Sequence, residues 1–95
     1  MAMRSFTSLI NQTLTQVGGE KYRPFMRLYG AWKDIVGPLL ASRSHPWRFR
    51  DSVLYIAVQN NSWLQELYLR KADILKQCRQ TIPEEIKEII FIIRN

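Results

Sequence analysis

The chain has 95 residues, 46% of them hydrophobic, and a formal net charge of +6, which suits one compact core over residues 1–95 and is too short for two. No apolar run approaches the ~20 residues of a membrane-spanning helix, the first twenty residues lack the apolar centre of a signal peptide, and a single cysteine, Cys78, cannot close an internal disulfide. A soluble, cytoplasmic domain is expected, and a membrane span or a disulfide scaffold is excluded.

In chain order, Phe6, Leu9, Ile10, Leu14 and Val17 recur at helical spacing, and Gly18-Gly19 closes this first amphipathic helix by supplying residues free to take positive φ. A stronger pattern follows through Tyr22, Phe25, Met26, Tyr29, Trp32, Val36, Leu39 and Leu40, with Pro24 placed in the first turn of the second helix. Gly37-Pro38 interrupts it, because proline has no N–H to donate, so a restart with Pro38 in its first turn is expected, finished by Ser44. From Pro46 to Asp51 the aromatic residues Trp47 and Phe49 alternate with Arg48 and Arg50, which reads as a strand. Asp51-Ser52 then connects it, as an antiparallel hairpin, to a second strand with Leu54, Ile56 and Val58 on one face.

Asn60-Asn61-Ser62 offers side-chain acceptors for the free N–H groups of a helix opening at Trp63, with Asn61 or Ser62 as the expected cap. Leu64, Leu67, Tyr68, Leu75 and Cys78 give that helix one apolar side, on which the thiol is expected to be buried. Ile82-Pro83 breaks it, and Ile86 to Arg94 reads as a third strand, apolar on both faces and so covered on one side by helices and on the other by the Gly37-Pro38 segment or a partner subunit. The order is α-α-β-β-α-β, an α+β class with a three-stranded sheet packed against helices.

Charge is distributed unevenly. Between Lys21 and Arg50 seven bases (Lys21, Arg23, Arg27, Lys33, Arg43, Arg48 and Arg50) face one acid, Asp34, while the rest of the chain is balanced. A polyanion would meet this middle third; the plain alternative is a cationic surface that aids solubility. Arg43, Arg48 and Arg50 are the first candidates for phosphate contact, and Arg23, Arg27 and Lys33 on the main early helix are a second set. Trp47, beside two arginines, fits either a core anchor or a base-stacking surface. If both aromatic residues of its strand face the core, Arg48 and Arg50 share the solvent face.

Catalytic groupings are scarce. His45 stands alone before Pro46 without a nucleophile or ligand partner, Glu84, Glu85 and Glu88 fit solvated charges around a turn, and the four glycines form no phosphate-cradling loop. No enzyme activity, cofactor, metal or small-molecule substrate is expected, and no membrane partner.

Trp32-Lys33-Asp34-Ile35-Val36-Gly37, Ser44-His45-Pro46, the strand Leu54 to Val58 leading to Asn61-Ser62-Trp63-Leu64-Gln65-Glu66-Leu67, and Ile89-Ile90-Phe91 together resemble the DciA-like family, long catalogued as a domain of unknown function. The resemblance covers nearly all of residues 22–94. It implies a KH-like fold, DNA binding, and association with the bacterial replicative helicase whose loading the family assists. A KH module that clamps single strands uses a G-x-x-G loop, and no such sequence occurs here. Many members also carry an extension that contributes to helicase binding, whereas this sequence reaches Asn95 one residue past its last expected strand. The reading is a non-enzymatic, nucleic-acid-binding accessory of DNA replication, with single-stranded or duplex DNA and RNA left open. The alternative is an adaptor that grips the helicase or another replisome component with little DNA contact.

Overall fold

A computed structural model describes residues 19–94; the expected helix over Phe6 to Val17 lies outside them. The elements are α1 (Gly19–Val36), α2 (Pro38–Ala41), β1 (Ser44–Arg50), β2 (Val53–Val58), α3 (Asn61–Leu69), α4 (Lys71–Thr81) and β3 (Glu88–Ile93). They form the expected α+β arrangement of a three-stranded sheet packed against helices. The strand order is β1-β2-β3, with β1 antiparallel and β3 parallel to the central β2. Parallel pairing of β2 and β3 requires a crossover, and α3 with α4 supplies it.

α1 buries Leu28 and Trp32, one turn apart on the face that meets the sheet. Pro24 stands inside this helix rather than in its first turn; its ring is buried, and only the bond to the carbonyl four residues earlier, near the helix start, is forfeited. Gly37 ends α1 at φ 90°, ψ 161°, a conformation that side chains disfavour, and Pro38 opens α2 as expected. Where α1, α2 and β1 converge, the Trp32 indole N–H donates to Ser44 Oγ at 3.0 Å, and that hydroxyl donates to the Leu40 carbonyl at 2.6 Å. Ser44 is buried, so this chain of bonds satisfies polar groups that water does not reach.

Asp51 and Ser52 both take positive φ, 55° and 65°, the mark of a two-residue turn whose twist matches the strands. The cap of α3 is Asn60, one residue earlier than expected: its backbone is extended and its side chain accepts from the Trp63 N–H at 3.1 Å. Asn61 and Ser62 are already inside the helix. The run read as one helix is divided at Arg70, whose N–H bonds the Leu67 carbonyl while its own carbonyl starts α4. Lys71 then ties α4 to β3 through Glu88 at 2.9 Å. This bond from Lys71, with one from the Ile89 N–H, holds the exposed Glu88 carboxyl below the usual carboxylate range.

The core lies between the helices and one face of the sheet, and it joins Leu28, Trp32, Leu54, Ile56, Val58, Leu67, Ile74, Cys78, Ile86 and Ile89. The opposite face has no helix over it among the described residues.

Candidate nucleic-acid interface

The register assigns every strand residue to a side. Leu54, Ile56 and Val58 of β2 face the core, as do Phe49, Pro46 and Ser44 opposite them on β1 and Ile89, Phe91 and Ile93 on β3. The outer face therefore carries His45, Arg48 and Arg50 from β1, Val53, Tyr55 and Ala57 from β2, and Glu88, Ile90 and Ile92 from β3. Arg94 continues the outward parity of β3.

Trp47 breaks the alternation. The register shifts between Pro46 and Arg48, leaving Trp47 as the extra residue of a β-bulge. Phe49 packs on the core, but Trp47 does not: the bulge turns its ring to the side of the arginines, so the condition that both aromatic residues face the core is not met. There the guanidinium of Arg48 lies 4.7 Å from the indole centroid and that of Arg94 4.4 Å from it. An exposed guanidinium over an indole gains about 0.5–1 kcal/mol, so the three side chains hold one another in place.

Arg94 also reaches an open groove of about 510 Å³ at the end of the sheet, lined in part by Arg43, His45, Ala57 and Gln59. Arg43 enters it from the turn after α2. Its Nη1 donates to Gln59 Oε1 at 3.1 Å, and its guanidinium lies 5.4 Å from the Trp63 ring centroid. A second groove of about 510 Å³ shares Tyr29 and His45 with the first and is bordered by Lys33. The Tyr29 and His45 rings meet edge to face at 6.3 Å.

The expected site residues thus separate into groups. Arg48 and Trp47 are in contact, Arg43 joins them through the groove and Arg94, and Lys33 reaches the adjoining groove. Arg50 is on the same face near the hairpin, with Asp51 at 3.8 Å partly offsetting its charge. Arg23 and Arg27 are exposed on α1 and line neither groove. Sequence reasoning missed Arg94, which is 46 positions from Arg48. Its only signal was its even-numbered parity with Ile90 and Ile92, and that becomes informative once β3 is known to lie beside β2.

No helix among the described residues is long and apolar enough to cross a membrane. Comparison with curated proteins finds no match. The family model described as Dna[CI] antecedent, DciA, matches residues 5–91. That match spans most of the chain, so the chain belongs to the DciA family and has its helicase-loader-like association with DNA replication.

Proposed function

We propose that this protein is a non-enzymatic accessory of DNA replication that binds nucleic acid on the open sheet face. The Arg48–Trp47–Arg94 stack would be the centre of the site, and Arg43 and the end groove its continuation. The observation that carries the reading is the indole with two guanidinium groups within 5 Å of its centroid, on a face that no helix covers among the described residues. Guanidinium groups bind phosphate oxygens through paired N–H donors, and an indole gives a base a stacking surface when one arginine swings aside. α3 and α4 meet at the single residue Arg70, so the protein lacks a G-x-x-G clamp there, and the sheet face takes that part.

A second reading, a helicase adaptor, is favoured by one feature. Tyr68 and Leu69 at the end of α3 are 61% and 82% exposed, an apolar pair that suits a protein partner. The two readings predict different losses. Arg48→Ala with Arg94→Ala should weaken DNA binding for all sequences and flatten the dependence of log K on log salt by roughly 1.4–1.8, since each lost phosphate contact removes ~0.7–0.9 of slope. Helicase binding should be retained. Unchanged DNA affinity and slope would refute the proposal, and loss of helicase binding with DNA binding intact would make the adaptor the better account.

A further inference from the structure

The two edges of the sheet are built differently. β1 carries Pro46, a bulge and two arginines, all of which discourage another strand from adding to it. β3 reads Glu88-Ile89-Ile90-Phe91-Ile92-Ile93, with no proline, bulge or charge between its ends, and Ile90 and Ile93 are 39% and 50% exposed. Among the described residues no strand pairs with its outer side.

The backbone groups on that side can be identified. The Arg94 N–H bonds the Val58 carbonyl of β2, so by alternation those of Ile90 and Ile92 also point inward and those of Ile89, Phe91 and Ile93 point to the open edge. Consistent with this, the Ile89 N–H is bonded to Oε1 of Glu88, a side chain standing in for an absent strand. Lys71 engages the same oxygen, leaving Oε2 without a partner among the described residues.

We propose that β3 pairs antiparallel with β3 of a second copy of the chain, in the register that sets Phe91 opposite Phe91. A second copy fits because the edge is self-complementary. In that register Glu88 lies opposite Arg94 of the second copy, twice by symmetry, and the pair forms when the Arg94 side chain swings from the Trp47 ring to the free Oε2 of that carboxylate; Ile89 faces Ile93. The edge-directed N–H and C=O groups of residues 89, 91 and 93 then meet each other as hydrogen-bonded pairs. The Ile89 N–H passes from the Glu88 carboxylate to the facing Ile93 carbonyl. Even-numbered residues stay on one side, so the two open faces form one six-stranded surface. One strand pair buries less than the ~1,200 Å² of a standard interface, which makes this a weak, concentration-dependent dimer.

Sedimentation equilibrium of the full chain over roughly 1 µM to 1 mM tests this. The expected result is a monomer–dimer equilibrium. Ile90→Lys abolishes it by placing a charge on the edge. Glu88→Arg and Arg94→Glu, taken singly, raise the dissociation constant about tenfold or more, because each replaces two attractions with two repulsions. The double exchange restores it. Should Ile90→Lys fail to fold by circular dichroism, the charge-exchange series alone decides. A monomer throughout the range, a dimer indifferent to the substitutions, or an edge that takes up only a different polypeptide overturns the proposal.

Discussion

Trp32, Ser44 and Leu40 show what a few atoms contribute to the fold. The indole is 2% exposed and its N–H has one acceptor, the Ser44 hydroxyl. Trp32→Ala should destabilise by ~3–5 kcal/mol in chemical unfolding, as large aromatic truncations in cores do. Ser44→Ala should cost ~1–3 kcal/mol by leaving the buried N–H unpaired; a loss near zero would show that water takes the place of the hydroxyl. Helical spacing made Trp32 legible as a core residue. Its partner was not legible, because Ser44 lies twelve positions away and meets Trp32 only after α2 turns the chain back. The side taken by Trp47 was left open by the sequence for a related reason. Alternation fixes the side of a strand residue only while the register is regular, and a bulge inserted after Pro46 leaves no mark in composition.

The capped helices and the hairpin show how neighbouring residues compete for one role. Asn60, Asn61 and Ser62 all have the chemistry of a cap, and the backbone decides among them: Asn60 alone is extended, at φ −157° and ψ 176°, with the helix starting directly after it. Asn60→Ala should cost ~1 kcal/mol, and alanine at Asn61 or Ser62 much less; equal losses at all three positions would contradict this assignment in thermal or chemical unfolding. In the hairpin, Ser52 pays for positive φ that glycine adopts without strain. Ser52→Gly should stabilise by ~0.5–1 kcal/mol, while the Ser52 carbonyl, which accepts from the Lys87 N–H at 2.7 Å, keeps its bond. On α4 the helical period correctly marked Cys78 as buried. Burial pushes its thiol up to about 12, so near pH 8 almost no thiolate exists in the folded protein. A thiol reagent should react only at the rate of unfolding and promptly in denaturant; fast reaction under native conditions would place the sulfur at the surface.

At the scale of the whole molecule, element types and order were readable because each segment has one strong period, two for strands and 3.6 for helices. The candidate site was only half readable. The basic segment from Lys21 to Arg50 is continuous in sequence, but folding divides it between elements, with Arg23 and Arg27 on α1 and Arg48 and Arg50 on β1. It also adds Arg94 from outside that segment. Which side meets the nucleic acid is therefore the central claim, and amide chemical-shift mapping of the full chain during titration with a single-stranded oligonucleotide tests it most directly. The account predicts perturbation along Arg48, Tyr55, Ala57, Gln59, Ile92 and Arg94, with Arg23 and Arg27 unmoved. Perturbation confined to the exposed side of α1 would contradict it.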